Sequence, residues 1–271
     1  VSVITPINTT QNTFTGQSVI TLSGALTSTA TQSGQSVGVA VGSGSSTNLG
    51  LNGGILVQTG AINTTENVRN NGAKLQAASA SFSATDTLAQ TDFSGAVQFS
   101  KAIGMGLSLI INDLQRKTRN RLDAGGSLVL SDAMGLEATA ITDGNLLTIA
   151  VAGAISNSGK PDPNNSESTS KWIPQISSFG VSGAGSVAVN KLEGNETSST
   201  LTSASGAPVS ITSPNVTLTA KDSTGVQNWG GAIAFGKRGA TSPVSGSAQA
   251  NRGQASIAGS ANFNYISRDV N

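Results

Sequence analysis

The chain has 271 residues, of which 33 are Gly, 11% are charged and 4% are aromatic, and it contains neither Cys nor His. Fifteen Lys and Arg against 14 Asp and Glu leave a net charge of +1, which argues against bulk nucleic-acid binding. The inventory excludes a disulfide scaffold, a zinc finger, a His-ligated haem, a Ser-His-Asp triad and a Cys-His dyad, and no run of 18 apolar residues is present to cross a bilayer as a helix.

The chain opens on Val1 without a signal-peptide pattern, so it reads as a processed product or a piece of something longer. No charge occurs before Glu66, and the residues up to it are mostly Thr, Ser, Gly, Asn, Gln and small apolar types. That composition resembles a disordered tract, but Ser18-Val-Ile-Thr-Leu22 and Ser36-Val-Gly-Val-Ala-Val41 are alternating, β-branched runs bounded by Gly, Ser or Gln. Such runs are strand signals.

Helix signals are almost absent. The best candidate, Ile110 to Leu122, does not sustain a 3.6-residue apolar period, and Gly125 and Gly126 follow it. It reads as strand, turn, strand.

Internal repeats decide the fold class. Phe93-Ser-Gly-Ala-Val-Gln-Phe99 recurs as Trp229-Gly-Gly-Ala-Ile-Ala-Phe235 and more weakly as Val151-Ala-Gly-Ala-Ile155. A matched strand precedes each, at Ala80–Ala84, Val216–Ala220 and Leu136–Ala140. Phe82 to Phe93 and Leu218 to Trp229 both span 11 residues, whereas Leu136 to Val151 spans 15. A third strand lies earlier in the block, at Leu128–Ser131 and Val209–Thr212, and a fourth follows, in which Gly104-Met-Gly106…Asn112 resembles Gly183-Ala-Gly185…Asn190. Blocks of roughly 55 to 80 residues that alternate apolar with small side chains cannot bury an apolar face alone and must stack.

An immunoglobulin-like sandwich needs an aromatic core, and a propeller needs blade signatures; neither is present. The pattern predicts an all-β chain, a parallel β-helix running as one segment over 1–271. Coils of about 20–25 residues would give on the order of a dozen turns and a rod roughly 55–60 Å long. A projecting corner loop is expected at 157–173, where two Pro and mixed charge interrupt the alternation, and a smaller one at 236–251. Inward positions are assigned to the larger apolar residues: Leu75, Phe82, Val97, Leu128, Leu130, Leu136, Ile155, Val187, Val189, Val209, Ile211, Leu218 and Ile233.

Arg116, Lys117, Arg119 and Arg121 put four cations within six residues and read either as a solvated corner or as a patch for an anionic ligand. No aromatic residue interleaves them. Asp86 and Asp222 stand at matched repeat positions, which fits turn chemistry better than a hydrolytic carboxylate pair. Asn112 and Asn190 each close a Gly-x-Gly strand and are expected to bond coil to coil in a ladder. No catalytic, cofactor or metal site emerges: Gly-x-Gly here lacks the third Gly and the helix of a dinucleotide fingerprint, and no calcium-loop pattern occurs.

Gly183-Ala-Gly-Ser-Val-Ala-Val-Asn190, Ser210-Ile-Thr-Ser-Pro-Asn-Val-Thr-Leu-Thr-Ala-Lys-Asp-Ser223 and Gly230-Gly-Ala-Ile-Ala-Phe235 together resemble the repeat region of leukotoxin-like filamentous adhesins, large exoproteins of the filamentous-haemagglutinin type. The likeness spans about residues 75 to 271. It implies a right-handed parallel β-helix, exported by a type V or two-partner route to the Gram-negative cell surface. It further implies a structural, adhesive role in attachment or matrix formation rather than catalysis. The Asn-Pro-Asn secretion motifs and the translocator barrel of such proteins are not seen. The partners expected are further coils of a longer chain or other copies end to end, and host or matrix glycan. A β-helical polysaccharide-binding or polysaccharide-degrading protein and a self-assembling extracellular filament subunit are the competing readings.

Overall fold

Each strand of this chain finds its hydrogen-bonding partner one circuit away, not next to it in sequence. The structure, a computed structural model, describes residues 1–5, 7–15, 19–69, 74–123, 127–157, 180–202, 210–237 and 254–271. In order these form β1 (Ser2–Ile4), β2 (Ile7–Phe14), β3 (Val19–Thr21), β4 (Leu26–Ser46), β5 (Leu49–Arg69), β6 (Lys74–Ala77) and β7 (Ala80–Ser100). There follow β8 (Ile103–Asp123), β9 (Ser127–Leu130), β10 (Leu136–Asn157), β11 (Gly180–Thr202), β12 (Ser210–Thr212), β13 (Val216–Lys237) and β14 (Gln254–Val270).

The chain visits three sheets in rotation. Strands β3, β6, β9 and β12 form a narrow base; β4, β7, β10 and β13 form one long side; β1 with β2, β5, β8, β11 and β14 form the other. All the paired strands are parallel. This is an all-β parallel solenoid with a wedge-shaped cross-section. The long sides meet at a tip turned by two residues, Thr47-Asn48 in one circuit and Lys101-Ala102 in the next.

The circuit is much longer than the expected 20–25 residues. Leu26 pairs with Ala80, Ala80 with Leu136 and Leu136 with Val216, steps of 54, 56 and 80. The small-residue stretches that suggested corners lie inside strands of 21 to 23 residues. Five rungs at ~4.8 Å stack to about 19 Å, whereas a 21-residue strand spans about 70 Å at ~3.3 Å per residue. The result is a broad, shallow blade instead of a slim rod. Residues 110–122 belong to the single strand β8, without the expected turn. The expected loops at 157–173 and 236–251 lie outside the described residues, except for Asn157 at the end of β10 and Gly236 and Lys237 at the end of β13.

The interior changes character along the wedge. At the wide base, Leu75, Phe82, Leu122, Leu128, Leu130 and Leu136 form an apolar cluster, with Phe14 set edge-on to Phe82 at 6.3 Å between ring centroids. Ile211 packs against the same cluster, and Val209 lies outside the described residues. Toward the tip the two long sheets converge, and Gly, Ala and Ser take most of the inward positions, with the Gln98 amide lying against Gly44 and Gly50. A Cβ on Gly106 would fall on the carbonyl oxygen of Gly153, and one on Gly54 on those of Gly95 and Ala40.

This taper overturns part of the expected core. Val97 is 39% and Ile233 55% exposed, and Ile155, Val187 and Val189 also stand on the outward phase. Their inward neighbours are Ala96, Ala154, Ala188 and Asn190. The large apolar residues point out because the narrow lumen is filled mainly by small side chains. Leu218 holds an inward position, in register with Ala138, but is 41% exposed because no described rung covers β13.

Candidate functional site

The Arg116–Arg121 segment lies mid-strand in β8, not at a corner, so strand alternation divides its cations. Arg116 points inward and Lys117, Arg119 and Arg121 point outward. Arg116 is fully buried and bridges the two long sheets. Its Nε donates to Asp86 Oδ2 at 2.8 Å, its Nη1 to Thr224 Oγ1 at 3.0 Å, and its Nη2 to the carbonyls of Asp86 and Asp143 at 2.9 and 2.7 Å. It therefore contributes nothing to a surface patch. Arg119 sits between carboxylates of the neighbouring rungs, 2.9 Å from Glu66 and 3.2 Å from Glu196. Three of the four cations, Lys117, Arg119 and Arg121, stay on the outer face, where Arg119 is paired with Glu66 and Glu196.

Asp86 and Asp222 do occupy one column, with Thr142 between them. The column faces the lumen, and each carboxylate answers an arginine of the opposite sheet: Asp86 to Arg116, and Asp222 to Arg268 at 3.6 Å. Neither lies at a turn, as the repeat pattern suggested. A cleft of about 380 Å³ beside Asp86 is lined by Asn8, Thr10, Gln32, Gly34 and Leu88.

Asn112 and Asn190 are paired in register and buried. Asn112 Nδ2 donates to Asn190 Oδ1 at 2.9 Å, and Asn190 Nδ2 continues to Asn264 Oδ1 at 3.0 Å. A second ladder escaped the sequence reading: Asn12 to Asn67 at 3.1 Å, Asn67 to Asn120 at 2.9 Å, and Asn120 to Ser199 at 3.3 Å. Its steps of 55, 53 and 79 residues are the circuit lengths, so the correct period would have revealed it. Such ladders fix register, because a slip of one residue would leave every amide in the column unpaired.

Beside the first ladder, Gln90 Nε2 binds both Gln58 and Asp92 in the closed interior. Burial raises the Asp92 carboxyl above its ordinary value, and the Gln90 bond opposes this only in part. Asp92 Oδ1, Gln90 Oε1 and Asn112 Oδ1 are all buried without a donor, so a proton on Asp92 would supply one.

Chemically, most inward polar groups bond one another in a closed interior, and the groups accessible to a partner are on the outside. Among the described residues no cluster of three or more acidic, His or Cys side chains is placed to hold a metal ion, and no helix is long and apolar enough to cross a membrane. Compared with protein-family models, with curated proteins and with solved structures, the chain matches none. The surfaces that remain are the main-chain edges of the end rungs and the outward apolar faces of the tip half.

Proposed function

We propose that this chain is a structural, adhesive segment of a large secreted or cell-surface filamentous protein of a Gram-negative bacterium, serving attachment or matrix formation. The observation that carries the reading is the state of the end rungs. Strands β4 and β13 are each paired on one side only among the described residues, and the inward column at β13 stands open at Leu218. An unpaired parallel edge over an open lumen is a template for one more rung. Further coils of the same protein, or further copies end to end, complete it. The repeat motifs that resemble filamentous-haemagglutinin-type exoproteins agree with this, and so does a chain free of Cys, which threads through an export channel without disulfides to impede it.

Fibre diffraction and electron microscopy of the purified chain test the reading. Axial filaments with a meridional spacing of about 4.8 Å are expected, and Leu218→Glu, which puts a charge in the open column at every axial joint, should abolish them. A monomer at high concentration whose β4 and β13 amides are protected from exchange would refute it.

A further inference from the structure

The tip half of the blade is uncharged and largely apolar on one outer face and wholly apolar on the other. On one face, none of the five outward positions from Val37 to Ser45 on β4, nor those paired with them on β7, β10 and β13, carries a charge. On the other, the outward positions from Leu49 to Val57 on β5 and their partners on β8, β11 and β14 are without exception apolar or Gly. Both strips are accessible: Val41 is 66%, Trp229 65%, Leu51 68% and Ile257 73% exposed. The second strip stops abruptly at the row of Asp113 and Lys191, whose ammonium lies 2.6 Å from Glu193.

The first strip is also levelled. Columns run Val41, Gly95, Val151, Gly231 and, beside it, Ser43, Val97, Gly153, Ile233, so large and small residues alternate in both directions. The Phe93 ring leans over Gly95, and Val97 lies in contact range of the space above Gly153. Large side chains folded over glycines fill the gaps of a sheet face, and such a filled apolar face can pack against another sheet.

Each strip is about ten residues long and four strands wide, roughly 33 by 19 Å, or about 600 Å². That is at the upper limit for a free apolar patch on a monomer, and two mated strips bury about 1,200 Å², enough for a specific interface. A bilayer would also cover both faces, and the length suits its ~30 Å core. Hydrocarbon, however, offers nothing to the unpaired main-chain edges of β4 and β13, each group costing several kcal/mol. Water satisfies those edges while the faces pair.

We infer that the occupant of both faces is a second copy of this chain, packed sheet on sheet. Because the two faces lie on opposite sides of one blade, each copy that covers one exposes another, and blades stack laterally into layers. This association is independent of the axial stacking proposed above, and together the two would make a filament that bundles.

The test separates the two. In a Trp172→Phe, Leu218→Glu background, where axial growth is blocked and Trp229 is the sole tryptophan, sedimentation should still show concentration-dependent mass about two-fold or more above that of the same chain carrying Val151→Lys and Leu107→Lys. Trp229 emission should shift to the blue as mass grows, while circular dichroism of both proteins stays β-rich. Association lost with Leu218→Glu alone would overturn the lateral reading and keep the axial one. Association unchanged by the two lysines would overturn the assignment of these faces. Quenching of Trp229 by brominated acyl chains in vesicles, without self-association, would give the faces to lipid instead.

Discussion

Arg116 and Asp86 meet at 2.8 Å in the middle of the lumen, each side chain 1% exposed, and tie the two long sheets together across the blade. Burying both charges is costly, and the four side-chain hydrogen bonds of Arg116 offset the cost. Breaking the pair leaves one charge alone in the interior. Arg116→Met should lose about 3–5 kcal/mol in urea denaturation, and Arg116→Met with Asp86→Leu should recover most of it. A double-variant loss equal to the sum of the losses of Arg116→Met and Asp86→Leu would show that the pair is uncoupled.

The taper predicts opposite results at two glycines. Gly106→Ala drives a methyl into the Gly153 carbonyl, so the sheets must part, at a cost of about 1–3 kcal/mol. At Gly231 a Cβ meets nothing within 4 Å, so Gly231→Ala should be neutral or should stabilise by about 0.5–1 kcal/mol. Thermal melts of the two proteins compare them directly, and similar shifts would mean that the sheets are not in contact near the tip.

Core truncations should rank by place in the wedge, not by apolar size. Phe82→Ala, in the base cluster, is expected to cost about 3–5 kcal/mol, whereas Ile233→Ala, half exposed on the outer face, should stay below about 1 kcal/mol in a monomeric preparation. A large loss at Ile233 under those conditions would restore the inward assignment.

Asp92 should make the fold sensitive to pH. Its pKa in the folded chain lies above the ordinary 3.8, so over the interval between the two the native state holds a proton that the unfolded state has released. Stability therefore falls as pH rises through the raised value and recovers on acidification toward 3.8. Asp143 works the other way: the Ser223 hydroxyl and the Gly144 N–H lower its pKa, so its contribution is present above 3.8 and lost below. Asp92→Asn should raise stability at neutral pH and flatten the slope above 3.8 in a series of urea midpoints. An unchanged slope would assign the pH dependence to other groups.

The period-two alternation and the recurring blocks determined the strands and their parallel stacking, because one apolar face per strand must be covered by the next rung. They also placed Asn112 on Asn190, and Asp86 in a column with Asp222. The local motif alignment placed other positions wrongly. It matched Gly183 to Gly104, whereas the register pairs Gly183 with Met105; and the seemingly looser middle copy is regular once Ala138 and Ile149, 11 residues apart, replace Leu136 and Val151. Alternation says that two faces differ but not which faces inward. That choice belongs to the separation of the sheets: at the base there is room for Phe82, while near the tip the inward positions are mostly Gly, Ala and Ser and Val97, Trp229 and Ile233 turn outward. Alternation set Arg116 inside and Arg119 outside from one basic run, and at Arg116 the lumen has room for a guanidinium with the Asp86 carboxylate opposite to receive it.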